Sequence, residues 1–144
     1  MIEKDTVKLL RECDAGIKMG VASIADVYDK VSSSKMRACL NACKDEHDTL
    51  DKMLQEELGR FHDVGKNPNP IIKGMSYMKT NMKMAMEHSD STIADLMTDG
   101  CNMGVKSLNR YLNQYKAADE KSKDICKRLI KLEEKLTAQM REFL

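Results

Sequence analysis

Apolar residues recur at steps of three and four along most of the chain, the spacing that places side chains on one face of an α-helix. The first run predicts a helix over about 4–31, and the second predicts one over 36–58. Ser32, Ser33 and Ser34 interrupt the pattern between them and offer an N-cap to the second helix. Because this turn is short, we expect the two helices to form an antiparallel hairpin. The first seam is Val7, Leu10, Asp14, Ile17, Val21, Ile24, Tyr28 and Val31, and the second is Met36, Leu40, Cys43, His47, Leu50, Leu54 and Leu58.

The strongest loop signal is the segment 65–70, Gly-Lys-Asn-Pro-Asn-Pro, which predicts a long crossover after the second helix. An amphipathic run follows it, so the crossover should contain a short Met-rich helix. Methionines at helical spacing usually fill a core, and we therefore expect this helix to lie across the bundle with its stripe inward. A partner surface and a thioether metal site are the alternatives for this stripe. The stripe consists of Ile71, Met75, Met78, Met82 and Met86.

Two further helical runs complete the chain. One spans about 91–115 after a break at Ser89–Ser91, and the last follows Asp119, a candidate N-cap. Four long amphipathic helices with one long crossover predict a single all-α domain over 1–144, an antiparallel four-helix bundle. The third seam is Ile93, Met97, Cys101, Gly104, Leu108, Tyr111 and Tyr115, and the fourth is Ser122, Ile125, Leu129, Leu132, Leu136, Met140 and Phe143.

Composition agrees with this fold class and excludes several functions. Aromatic residues make up only 4% of the chain, Trp is absent, and there are 12 Met. The formal net charge of +1, with no basic block, gives no reason to expect a nucleic-acid partner. No stretch is long and apolar enough to predict a membrane span, and the charged start does not resemble a signal peptide. Five Cys without a C-x-x-C pair favour a reducing cytoplasm over a disulfide framework.

Four segments carry a resemblance to bacterial ferritin-like families of unknown function. They are KLLRECDAGIKMGVASIADV, CKDEHDTLDKMLQEEL, NPIIKGMSYMKTNMKMAMEHSD and GCNMGVKSLNRYLNQYK, and they span nearly the whole chain. The resemblance implies a ferritin-like bundle with the long crossover between its second and third main helices. Active di-iron members supply one Glu from each of two helices and Glu-x-x-His from each of the other two.

Only part of that ligand set is present, which predicts a degenerate di-iron site. Asp14 stands nearest to the carboxylate position of the first helix, and Cys101 replaces a Glu in the third. The second helix has Lys44-x-x-His47, so a cation replaces the bridging carboxylate. The fourth helix keeps Glu133 but has Leu136 in place of the imidazole.

Three hypotheses follow for this cluster. In the first, the site is non-catalytic and Lys44 pairs with Asp14 and Glu133 in place of a metal. In the second, Cys43, His47 and Cys101, with or without Asp14, bind Zn²⁺ or Cu⁺. In the third, iron is still oxidised or stored with unusual ligands. The candidate metal ligands are thus Asp14, Cys43, His47, Cys101 and Glu133, with no cofactor expected under the first hypothesis.

A different function class is a helical interaction module that uses the Met stripe. Such a protein would self-associate or bind a partner through exposed methionines. No phosphate-binding, nucleophile-elbow or zinc-protease motif occurs, so no catalytic residue is predicted. We therefore expect a non-catalytic ferritin-like bundle, with metal binding and partner docking as the alternatives.

Overall fold

The computed structural model describes residues 2–144, and side chains from residue 3 onward except that of Ile71. This part of the chain is all-helical, as the spacing of apolar residues predicts, and contains no β-strand. Its five α-helices are α1 (Ile2–Tyr28), α2 (Ser34–Arg60), α3 (Pro70–Met86), α4 (Asp90–Gln114) and α5 (Glu120–Met140). A short 3-10 helix, Arg141–Phe143, ends the chain.

Short polar side chains begin three of these helices. The hydroxyl of Ser33 accepts a hydrogen bond from the backbone N–H of Met36 at the start of α2. Ser89 caps α4 in the same way, and the carboxylate of Asp119 caps α5. All three caps lie at the breaks predicted from the sequence. The first helix is shorter than predicted, because the chain turns at Asp29 and Lys30 after Tyr28.

The four long helices α1, α2, α4 and α5 pack around a shared core. The directions of these helices follow from the contacts between them. Asp14 contacts Gln55 and Gly20 lies beside His47, so α1 and α2 are antiparallel. Salt bridges across α2 and α5 make that pair antiparallel too, and α4 and α5 form a second antiparallel hairpin. It follows that α2 and α4 run in the same direction. The connection between them must therefore travel the length of the molecule, which the segment 61–89 does.

The predicted orientation of the Met stripe is wrong. Met75, Met78, Met82 and Met86 on α3 are 63–86% exposed, whereas Thr80 and Met84 on its other side are buried. The helix lies against α1 and α4 with this second side inward. The periodicity defines one apolar face, but the bundle core is already filled by the four long helices, so the stripe remains on the outside. Ile71, the first predicted member of the stripe, lies outside the described side chains.

None of the described helices combines the length and the apolar character that a membrane span requires.

Candidate functional site

His47 lies at the middle of α2 with its side chain in the core. It is buried, and its Nδ1–H donates a hydrogen bond to the carbonyl oxygen of Cys43, 2.7 Å away. The sulfur of Cys43 lies 3.6 Å from the same nitrogen. Because a carbonyl oxygen can only accept, Nδ1 carries a proton and Nε2 is left to face the neighbouring helices.

Glu133 of α5 faces this second nitrogen. Its Oε1 lies 3.4 Å from Nε2 of His47, and both side chains are buried. The two atoms are within ion-pair distance, but Nε2 has no hydrogen bond of suitable geometry. Gly20 of α1 makes room for the ring, since a Cβ there would stand only 2.7 Å from Nε2. The site is thus assembled from α1, α2 and α5.

The ionisation of His47 is strongly altered by these neighbours. Burial lowers its pKa, but the Cys43 side chain, the nearby carboxylate of Glu133 and the hydrogen bond to the Cys43 carbonyl oxygen raise it more, to about 10. The ring is therefore a cation at neutral pH and forms a buried ion pair with the carboxylate of Glu133. This pair, which crosses from α2 to α5, is the charged centre of the core.

Two thiols complete the cluster. Cys101 of α4 is buried beside Glu133, and burial together with the charge and hydrogen bond of Glu133 raises the pKa of the Cys101 thiol. The negative charge that Cys43 can carry acts on it in the same direction. Cys101 is consequently a neutral thiol, a poor nucleophile and a poor metal ligand until it is deprotonated. The structure thus brings together four of the five candidate ligands, Cys43, His47, Cys101 and Glu133.

Asp14 does not belong to this cluster. It accepts hydrogen bonds from Nζ of Lys18 at 2.8 Å, from Nε2 of Gln55 at 3.1 Å and from the backbone N–H of Lys66 at 2.9 Å. It stands six residues before Gly20, about 9 Å along the axis of α1. The predicted role of Asp14 at the centre is therefore wrong, because the carboxylate instead fixes the crossover segment to α1.

Lys44 also takes a different place. Its side chain is largely exposed and forms a salt bridge with Asp48 one turn later, at 3.1 Å. On a helix, residue 44 lies about 60° around the axis from residue 47, on the side away from the core. The ammonium group of Lys44 therefore lies outside the core. The hypothesis that Lys44 supplies a positive charge in place of the metal is therefore wrong. The positive charge beside Glu133 is that of His47.

The donor atoms do not fit a di-iron pair. Such a pair needs several bridging carboxylates, and of the predicted ligands only Glu133 provides one at this level. The sulfur of Cys43 lies on the Nδ1 side of the ring, away from Nε2. Over residues 2–144, no set of three or more His, Cys, Asp and Glu side chains is arranged to hold a metal ion.

A second candidate site is the exposed face of α3, the Met surface, defined here by Met75, Met78, Met82 and Met86. The lysines beside it are already paired with α4: Lys79 lies 3.7 Å from Asp99, and Lys83 lies 3.2 Å from Asp95. These two acidic partners were not singled out from the sequence. Asp95 and Asp99 are four residues apart, as Lys79 and Lys83 are, and this matched spacing is the feature of the sequence that could have identified them.

Beyond Met86 the Met surface opens into a groove of about 450 Å³. Its lining includes the exposed apolar residue Leu144 and five polar residues, Lys83, Glu87, Ser91, Thr92 and Asp95. Met86 and Leu144 are thus the apolar side chains of a groove whose lining is otherwise polar.

Comparisons of the chain with protein-family models, with curated protein sequences and with solved structures gave no significant match.

Proposed function

We propose that this protein is a ferritin-like helical bundle that acts as an interaction module, docking the apolar face of a partner helix on the Met surface. The observation that carries the proposal is the exposure of four long apolar side chains along one face of α3. Monomeric soluble proteins rarely gather such residues in one patch, and patches of this kind commonly mark interaction sites.

The ferritin-like part of the proposal rests on helix directions. Two antiparallel hairpins, α1–α2 and α4–α5, are joined so that α2 and α4 run in parallel. A bundle with this order requires one long crossover, which is the arrangement of ferritin-like folds. The crossover here contains α3, and that helix is held on the outside of the bundle against α1 and α4.

The non-catalytic part rests on the ion pair in the core. At the level where di-iron members of this fold bind metal, the cation of His47 neutralises the carboxylate of Glu133. The nearby thiol of Cys101 is protonated, so the cluster is electrically balanced without a bound ion. This arrangement favours a structural role for the cluster of His47, Glu133 and Cys101.

The chemistry of the Met surface specifies the partner's class. A helix of 17 residues is about 25 Å long, enough to pack along three to four turns of another helix. Thioether side chains are unbranched and polarizable, so they adapt to apolar side chains of different shape. The expected ligand is therefore an amphipathic helix, which docks through residues spaced at i, i+3, i+7 and i+11.

The proposal can be tested with a labelled model peptide. We expect a neutral amphipathic helical peptide, with Leu at that spacing, to raise its fluorescence anisotropy when nanomolar protein is titrated in. A scrambled peptide of the same composition should not bind. The double substitution Met78→Glu and Met82→Glu should abolish binding, because it places two charges in the contact.

The matched control is Met103→Glu. Met103 is as exposed as Met75, Met78 and Met82 of α3 but belongs to α4. Binding that survives the α3 substitutions, or binding that is lost equally in the Met103 variant, would contradict the proposal.

A further inference from the structure

The spacing of the Met surface is nearly symmetric about Thr80. Met78 and Met82 each lie two positions from it, and Met75 and Met86 lie five and six positions away. If two copies of α3 pack antiparallel, one register therefore sets methionine against methionine along the whole contact. A surface that matches itself in this way is the requirement of a two-fold symmetric interface.

We infer that the occupant of the Met surface is a second copy of this chain, packed through an antiparallel α3–α3 contact. The inference rests on the proposed docking function and names its partner. Near the two-fold axis, Met78 would face Met82 of the partner subunit, and the same contact would occur again on the other side of the axis. Met75 would lie over Met86 of the partner subunit.

Charges beside the stripe favour a second copy over an acidic or lipid partner. The segment 70–86 contains three lysines and no acidic residue, which in isolation suggests attraction to negative charge. However, Lys79 and Lys83 are paired with Asp99 and Asp95 of the same chain. The side of α3 that faces α4 thus carries both signs of charge. An antiparallel two-fold brings this mixed flank against its own copy, where Lys and Asp rows can exchange partners.

The groove at the end of α3 fits the same arrangement. It adjoins Met86 and contains the exposed side chain of Leu144. In the antiparallel register, the first turns of the second copy's α3 reach this groove and bring Met75 of the partner subunit to it. Each dimer would fill two such grooves, so the exposed side chain of Leu144 would be covered together with the stripe.

Sedimentation equilibrium over a dilution series of the full chain tests the inference. We expect a monomer–dimer equilibrium for the wild-type protein, and a dissociation constant raised more than about tenfold by Met78→Glu, because a symmetric interface contains each substitution twice. Met103→Glu should leave the equilibrium unchanged. Circular dichroism of each variant establishes that it is folded.

The register is tested by mixing two variants. Met78→Lys and Met82→Glu should each be monomeric alone, but an equimolar mixture should form a heterodimer, since Lys at 78 then faces Glu at 82 across the axis. Mixing Met78→Glu with Met82→Glu is the control, and it should remain monomeric because like charges meet.

Three outcomes would overturn the inference. A wild-type chain that stays monomeric at all concentrations, while still binding the model peptide, would leave the docking function intact but assign the surface to another protein. A dimer unaffected by Met78→Glu would place the interface elsewhere. Co-sedimentation with phosphatidylserine vesicles without dimerisation would assign the surface to lipid.

Discussion

The charge on His47 is the property of a single residue that most affects this molecule. Its ring is held between the carbonyl oxygen of Cys43 and the carboxylate of Glu133, in a space that Gly20 leaves open. A buried cation next to a buried carboxylate stabilises the fold only while both are charged.

Stability should therefore depend on pH. The pKa of His47 is about 10 in the folded chain and about 6.5 in an unfolded one, so folding favours the protonated ring. Its contribution is complete below about pH 6.5 and is lost as pH rises toward 10. Between pH 6.5 and 8.5 we expect the free energy of unfolding to fall by about 2 kcal/mol, measured by urea denaturation.

Glu133→Gln serves as the control for this pH dependence. Without the carboxylate the pKa of His47 should drop, and the slope over the same interval should flatten. An unchanged slope in this variant would show that Glu133 does not raise the pKa of His47.

Gly20 gives a second prediction at this scale. Gly20→Ala would push a methyl group against Nε2 of His47, where 2.7 Å separates them, and should destabilise the fold by about 1–3 kcal/mol. Gly100→Ala is the matched change, since nothing lies within 4 Å of that position in α4. It should stabilise by about 0.5–1 kcal/mol, because Ala favours the helix. Equal effects in thermal unfolding would contradict the steric explanation.

Sequence reasoning located these residues only partly. Cys43 and His47 share a face because they are four apart, whereas Glu133 is not a member of the fourth seam and is singled out only by the resemblance. Gly20 and His47 are equally far from the Ser33–Ser34 turn, so a hairpin that closes there brings them together. The Lys44 prediction failed for a different reason. A resemblance of position along the chain does not specify whether a side chain points into the core.

At the scale of elements, the crossover segment depends on α1. Asp14 binds the backbone N–H of Lys66, Lys66 in turn forms a salt bridge with Glu12, and Arg11 lies 3.4 Å from Asp63. Gly65 has a φ of 85°, a left-handed conformation that favours glycine, and a Cβ there would overlap Oδ2 of Asp14. These contacts hold the start of the segment that carries α3.

Removal of the Asp14 carboxylate should therefore be costly. Asp14→Ala leaves the backbone amide of Lys66 without its acceptor and removes the carboxylate that pairs with Lys18, and we expect a loss of about 2–4 kcal/mol in urea denaturation. Asp51→Ala is the control, since Asp51 accepts from the same Gln55 at the exposed surface. Its effect should stay within about 0.5 kcal/mol.

The helices themselves were largely predictable, whereas the orientation of α3 was not. Apolar spacing and the caps at Ser33, Ser89 and Asp119 determine where helices begin, and these signals are local. The direction in which an amphipathic face points depends on which surfaces remain uncovered after the long helices pack. Which surfaces remain uncovered is a property of the whole bundle, and the spacing of the Met stripe alone does not determine it.

At the scale of the whole molecule, the charged centre of the core and the exposed face of α3 have separate roles in the proposal. His47 and Glu133 neutralise each other in the core, and the outward face of α3 is the proposed interaction surface. Addition of Fe²⁺ in air should therefore give no ferroxidase absorbance change above a protein-free blank, and chelator-free purification should yield less than one equivalent of metal. Rapid oxidation that is lost in Glu133→Gln would contradict a purely structural centre.

The most direct test of the central claim is the rate at which each methionine is oxidised by hydrogen peroxide, followed by peptide mass spectrometry at two protein concentrations. Exposed Met103 and buried Met36 supply the fast and slow references. If the Met surface docks a second copy, Met78 and Met82 should be oxidised as fast as Met103 in dilute protein and be protected in concentrated protein, while Met103 stays unchanged. Equal rates at both concentrations for the methionines of α3 would show that the Met surface is not covered by a second copy.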